Sequence, residues 1–576
     1  MRKTLASVLL STTLLSACSQ KSVDSARPEY IQSEDRAVAA DNSGAKSAQR
    51  GDPSTTPAQE QNRPVDAVET KPQPSPPPAP PPPGTPMPAR ALGSGTGYGY
   101  GVGGGRGGMR GRALVQADPV STESYTDYGR NGWTESAKDH LSTFAADVDT
   151  ASYTLARRKL LEGTMPVAAG VRVEEFVNYF SYAFPAPANH TPFSVIMDAA
   201  PSPLSPGRHI VRVGVATKEK AVVERKPVNL VFLVDVSGSM SSPDKLPLAK
   251  QALRILTNNL KDGDTVSLVT YAGSTRVVLK PTGLEHKQQI LAALEDLQSG
   301  GSTAMASGLD LAYAQAMQGL RPGAVSRVIV LSDGDANVGS HTHEEMLKII
   351  EGRVKQGVTL STIGFGVGNY RDSLMEQLAN KGNGNNFYID SLSQAKRVFQ
   401  QQLGSTLEVV AKDAKFQIDF DPQMVARYRL VGYENRDIAD NDFRNDKVDA
   451  GEIGAGHQVT ALYEVELTAK AKQSHAPLGG IRIRHKAPTS DTATEAAFPM
   501  VGGAAGSFAS ASADFRFAFA TAAFADVLRG SQDAEHWSLV QIRELAKAAA
   551  GNSEDRRELV SLIDKAIGLT GRTARR

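Results

Sequence analysis

Between about residues 227 and 403, short apolar runs alternate with runs of helical spacing, and this alternation constrains the fold more than any other feature. Residues 229–235 (NLVFLVD) are too short for a helix and too uniformly apolar for a half-exposed strand. They read as a strand buried on both faces. Residues 245–260 space Leu, Ala and Ile as a helix does. Strand-like runs at 265–271, 276–279, 327–331, 359–365 and 386–389 then interleave with helical patterns at 287–297, 304–318, 344–356, 372–380 and 392–403. The pattern predicts an α/β domain with a doubly wound, mostly parallel sheet. Such sheets place ligands at the carboxyl ends of strands, where the strand order reverses.

Three polar segments fall at such ends: Asp235-Val236-Ser237-Gly238-Ser239, Gly300-Gly301-Ser302-Thr303 and Ser332-Asp333-Gly334-Asp335. Asp235, Asp333, Ser237, Ser239 and Thr303 make an all-oxygen donor set, suited to a hard cation and wrong for zinc or copper. Read locally, the same serines cap a helix and the same aspartates end strands in turns. The DVSGSM run at 235–240, with Thr303 and Asp333, resembles the von Willebrand factor A domain and its metal-ion-dependent adhesion site. The resemblance covers 227–403. It implies that Ser237, Ser239 and Thr303 coordinate a divalent ion through their hydroxyls, and that Asp235 and Asp333 bind it directly or through water. An acidic side chain of a protein partner would complete the coordination. Mg²⁺ suits few protein ligands plus retained water, with Mn²⁺ and Ca²⁺ as alternatives. Asp335 reads as a turn or supporting residue. His341, His343 and Glu344 read as a solvated helix start rather than a metal cluster.

The chain has 576 residues and a single cysteine, which excludes an intramolecular disulfide, a zinc finger and an iron–sulfur site. Arg2 and Lys3 precede an uncharged run at 4–15, and Leu15-Ser16-Ala17-Cys18 follows. The run is too short to span a bilayer and suits an export signal. Its ending resembles the lipobox of bacterial lipoproteins, which implies a signal peptide at 1–17 and lipidation of Cys18. Ser19 in place of Asp favours the outer membrane over the inner, with the periplasmic or surface face left open. Residues 18–135 read as a disordered tether, with 11 prolines between 72 and 88 and 11 glycines between 93 and 111. With 63 basic and 62 acidic residues, the chain lacks the basic excess of a nucleic-acid-binding protein.

An N-terminal flank at 136–226 (helices, then strands) and a β-rich flank at 404–506 enclose the central domain, and a helical region fills 507–576. Strand-like runs at 193–199, 209–215, 414–420, 425–433, 457–467 and 480–485 suggest one sandwich split by the A domain. Phe515, Phe517, Phe519 and Phe524 among alanines suit a buried helix, the alternative being an amphipathic helix lying on a membrane. Asp147 and Asp149 have the Asp-x-Asp spacing of aspartyl-phosphate phosphatases. However, Thr150 follows Asp149 directly, and no hydrophobic strand is evident before them. Asp149 or Thr150 equally suits the N-cap of a helix at 151–162. Together with 173–180 (VEEFVNYF), this stretch resembles the N-terminal segment of the YfbK-like bacterial lipoproteins, a likeness spanning about 137–570. No Ser-His-Asp set, HExxH or Walker sequence is recognisable. The expectation is a membrane-anchored, non-enzymatic protein that binds a partner. The alternatives are a phosphohydrolase using Asp147 and Asp149, or a structural envelope protein whose metal only stabilises it.

Overall fold

In the computed structural model the strands of the two flanks close one core together. The structure describes Tyr30–Ile31 and residues 123–573, apart from 124, 188–190, 220–223, 303, 335–342, 367–369, 403–406, 449 and 489. The expected signal peptide, Cys18, nearly all of the expected tether, Thr303, Asp335 and His341 lie outside those residues.

Strands β1 (Tyr30–Ile31), β2 (Thr134–Glu135), β3 (Leu141–Ala145), β4 (Phe193–Pro201) and β5 (Arg208–Thr217) precede the central domain, with helices α1 (Ala151–Leu161) and α2 (Val173–Asn178). The central domain contributes β6 (Val228–Asp235), β7 (Thr265–Tyr271), β8 (Thr275–Gly283), β9 (Val325–Ser332), β10 (Val358–Gly364) and β11 (Asn386–Tyr388). Its helices are α3 (Leu246–Asn258), α4 (Lys287–Glu295), α5 (Met305–Gln318), α6 (His343–Val354), α7 (Asp372–Lys381) and α8 (Leu392–Lys396). After it come β12 (Val409–Phe420), β13 (Val425–Val431), β14 (Gly451–Gly454), β15 (Gln458–Leu467), β16 (Gly479–Lys486) and β17 (Ala493–Pro499). Three helices, Ala513–Leu528, Leu539–Ala549 and Glu554–Thr573, close the chain.

The central sheet runs β11-β10-β9-β6-β7-β8, parallel except for β8, which turns back on β7. Every residue of β6 is buried, as its unbroken apolar run requires. Leu230, Phe232 and Val234 face the core shared with α3, while Val231 and Leu233 face the core shared with α5. The period-2 alternation of a strand thus supplies both layers.

The sandwich draws one sheet, β2-β13-β15-β5-β4, from both flanks: β15 pairs antiparallel with β5, Val459 opposite Val215 and Tyr463 opposite Val211. In the second sheet β12 pairs with β16, with β14 and, along Lys415–Asp419, with β3. β16 alternates as a half-buried strand should, with Ile481 and Ile483 inside and Arg482 and Arg484 pairing outward with Asp419 and Asp446. Phe144, Phe416, Phe420 and Tyr463 fill the space between the sheets.

The four phenylalanines of Ala513–Leu528 are at most 3% exposed. They share a core with Phe176, Phe180, Ile210 and Leu462, so this helix is an internal element and not a membrane-lying one. The structure departs from the sequence reading at β3, β14 and β17, which are short, small-residue or edge strands with little apolar signal. The body also begins upstream of 136: the Trp133 ring lies between Arg208 and Arg427, at 4.7 and 4.8 Å.

Candidate metal centre

In the central sheet the chain moves from β6 to β7 on one side and returns to β9 on the other. The reversal therefore lies between β6 and β9, where Asp235 is the last residue of β6 and Asp333 directly follows β9. Both are fully buried. One carboxylate oxygen of Asp235 accepts from the Ser237 backbone N–H at 2.9 Å, and the other accepts from the Ser332 hydroxyl at 3.0 Å. The Ser237 and Ser239 hydroxyls stand 3.0 Å apart. Burial pushes the Asp235 carboxyl up to about 6, and the nearby charge of Asp333 adds to the rise.

Backbone bonds tie this loop to the next. Gly300 N–H donates to Val236 O at 2.7 Å, and Gly238 N–H donates to Gly301 O at 3.0 Å. Gly301 has φ +87°, and a Cβ there would meet Gly273 N at 3.1 Å, so this close approach suits glycine. Thr303, two residues on, lies outside the described residues. Gly238, Gly300, Gly301 and Ser302 are exposed, so the buried carboxylates sit beneath a solvent-facing rim.

Asp235, Ser237, Ser239 and Asp333 thus converge. Sequence reading missed a fifth participant, Lys245. Its ammonium nitrogen stands 2.9 Å from Asp333 Oδ2, with the lysine side chain 9% exposed. The signal was its position: a lysine at the start of a helix opposes the helix dipole and needs another reason to be there. The donor set and the inserted ammonium both mark the place as one that accepts positive charge. Among the residues set aside, His343 meets Gln377 at 2.7 Å and Glu344 pairs with Lys348, as a solvated helix start would.

Asp147 and Asp149 lie elsewhere, at the junction of the sandwich and the A domain. Each carboxylate is 3.0 Å from the Arg436 guanidinium, and Asp149 also accepts from Asn386 N–H at 2.8 Å. Burial, then the charge of Asp147, pushes the Asp149 carboxyl up to about 8. Both line a polar cavity of about 400 Å³ with Asn380, Asn435 and Glu452. A strand, β3, does precede them, but its Phe144 packs into the sandwich core. Thr150 stands at the N-cap position of α1 without a side-chain capping bond. Beside this pair, Arg172 bridges Glu175 of α2 to Asp372 of α7, so a buried ion pair joins the N-terminal flank to the A domain, while Arg436 joins the two flanks to each other.

A sheet of this order with an Asp-x-Ser-x-Ser loop at its reversal defines a von Willebrand factor type A domain, and the family of that description matches residues 229–401. The family described as "von Willebrand factor" matches 119–212, and "Uncharacterized protein YfbK, C-terminal" matches 405–569. The chain is 37% identical over 487 residues to "Uncharacterized protein YfbK" of Escherichia coli (strain K12), covering 80% of this chain and 84% of that one. It belongs to the YfbK family. It is also 26% identical to "Uncharacterized protein sll0103" of Synechocystis sp. over 49% of this chain and 66% of that one. A solved structure of "von Willebrand factor type A from Catenulispora acidiphila" aligns over 64% of this chain and 88% of its own length, with 17% identity and a TM-score of 0.38.

Proposed function

We propose that this YfbK-family protein is a lipid-anchored envelope protein whose A domain grips an acidic side chain of a protein partner through a divalent cation, Mg²⁺ before Mn²⁺ or Ca²⁺. The observation that carries this reading is the convergence of Asp235, Ser237, Ser239 and Asp333 at the sheet's reversal, beneath an exposed glycine rim. Asp235, Ser237, Ser239, Thr303 and Asp333 would hold the ion, which when bound supplies an electrophilic position for a carboxylate. The chain's own contribution is preorganisation. Ser332 and the Ser237 N–H fix the Asp235 carboxylate, and the Gly300–Gly301 backbone bonds hold the neighbouring loop against it.

Two sequence features support the location: the lipobox-like ending Leu15-Ser16-Ala17-Cys18, and Ser19, which favours the outer membrane. Among the described residues no helix is long and apolar enough to cross a membrane. Asp147 and Asp149 are committed to Arg436, so a non-enzymatic role is the reading their pairing favours.

The test is affinity capture from envelope extracts with the purified chain, with and without EDTA, beside Asp235→Ala. Chelation and the substitution should each release the same partner. Undiminished capture after chelation would overturn the reading.

A further inference from the structure

Lys245 reaches Asp333 along a slot shaped for it. Its own N–H donates to Ser242 O at 3.0 Å and its carbonyl accepts from Ala249 N–H at 2.8 Å, so the backbone is fixed where α3 begins. The side-chain stem lies over Gly366, in the loop after β10. A Cβ on Gly366 would come within 2.3 Å of the lysine Cε and 2.4 Å of its Cγ. That glycine has φ +73°, a conformation that L side chains rarely adopt. At the end of the slot the ammonium meets a carboxylate that is wholly removed from solvent. An ion pair this enclosed is a designed part of the site, since a buried carboxylate left without a counter-charge is costly.

The same carboxylate is one that the proposed metal would use, directly or through water. Two aspartates and one lysine leave the cluster with a net charge of about −1 when all are ionised. A divalent ion arriving at Asp333 would meet the ammonium at contact distance, where like charges repel strongly in a poorly solvated pocket.

We infer that Lys245 is the resident cation of this site, and that a divalent ion binds by displacing its ammonium from Asp333. The inference rests on the metal-binding reading above. Metal affinity is then set by competition with a tethered charge. Ion entry is coupled to the turn at the start of α3, because the displaced side chain leaves its slot over Gly366.

The test uses the full purified chain and Mn²⁺ as the probe, with binding followed by calorimetry and by the loss of the free-ion electron-paramagnetic-resonance signal. Lys245→Met should bind Mn²⁺ about tenfold more tightly than the wild type, or more. In the unsubstituted chain, amine acetylation read by mass spectrometry should find Lys245 protected without metal and reactive at saturating Mn²⁺. This second readout decides the matter even where Lys245→Met fails to fold. Equal affinities in the two chains, or a Lys245 reactivity that Mn²⁺ leaves unmoved, overturn the inference while sparing the metal site. Uptake of Mn²⁺ by neither chain overturns both.

Discussion

The guanidinium of Arg158, on a helix that precedes the A domain, stands 2.8 Å from the carboxylate of Asp244, the residue immediately before Lys245. Another nitrogen of Arg158 donates to the Tyr388 hydroxyl at 2.7 Å, and that hydroxyl donates to the carbonyl of Gly366. One side chain of the flank therefore braces both walls of the lysine slot. The A domain of this family member is not an independent module that happens to carry extensions.

Removing that brace should cost stability without unfolding the chain. Arg158→Ala is expected to lower stability by about 1–2 kcal/mol, since the pair is largely but not wholly buried. A double-mutant cycle with Asp244→Ala, read by urea denaturation, should return a coupling of about 1 kcal/mol. Strict additivity would show that the two groups do not interact.

Arg172 should matter more. Its side chain is 6% exposed and lies between Glu175 and Asp372, each 1% exposed, with Glu376 at 3.6 Å. Arg172→Met leaves buried carboxylates facing one another, a loss of about 3–5 kcal/mol. Thermal unfolding should move down by many degrees, and a shift of only a degree or two would contradict the role given to this residue.

Metal should stabilise the fold through Asp235. At an Mg²⁺ concentration a hundredfold above the dissociation constant, linkage gives about 2.7 kcal/mol, which a melting curve with and without EDTA will show. In Asp235→Ala the two curves should coincide. A metal-dependent rise that survives the substitution would place the ion elsewhere.

His485 predicts a distinct acid response. Burial pushes its imidazole down to about 4, below the ordinary value of 6.5, and it packs edge-on against Phe193 at 4.8 Å. The unfolded chain therefore takes up the proton first, so stability falls as pH drops from 6.5 towards 4 and levels off below. The loss should reach about 2 kcal/mol near pH 4.5. His485→Phe should make that part of the stability–pH curve shallower, the remainder coming from His457, which burial also pushes down to about 4, and an unchanged slope would rule His485 out as a source.

The phosphohydrolase alternative makes the opposite demand on Asp147. With its carboxylate held by Arg436, Asp147→Asn should alter stability and leave p-nitrophenyl phosphate turnover at background in both chains. Turnover that the substitution abolishes would restore that alternative.

Much of the central domain was legible because its signals are local. The β6 run, wholly buried, announced a two-faced strand, and the Asp235 carboxylate and the Ser237 and Ser239 hydroxyls of one loop sit two residues apart. The rest was hidden by separation along the chain. Nothing near Asp147 points to Arg436, 289 positions away, and β3 (LSTFA) shows its strand character only once Phe144 packs against Phe416, the tilted rings 5.5 Å apart. Lys245 was hidden differently, by reading it as an ordinary first residue of a helix when its side chain runs away from that helix into the site.

The division of the sandwich between two flanks has a consequence for how the protein is made. The A-domain sheet is built from neighbouring segments and, with Arg158 of α1 already synthesised, can form before the C-terminal flank has emerged. β4 and β5 have to wait, because Val215 faces Val459 and its sheet lacks a centre until β15 has emerged. Chains cut short during synthesis would carry a formed A-domain sheet on an unfinished body, with open strand edges that invite pairing with other chains. A closed sandwich is therefore a certificate of completeness: only chains translated nearly to the end can present the site on a stable platform.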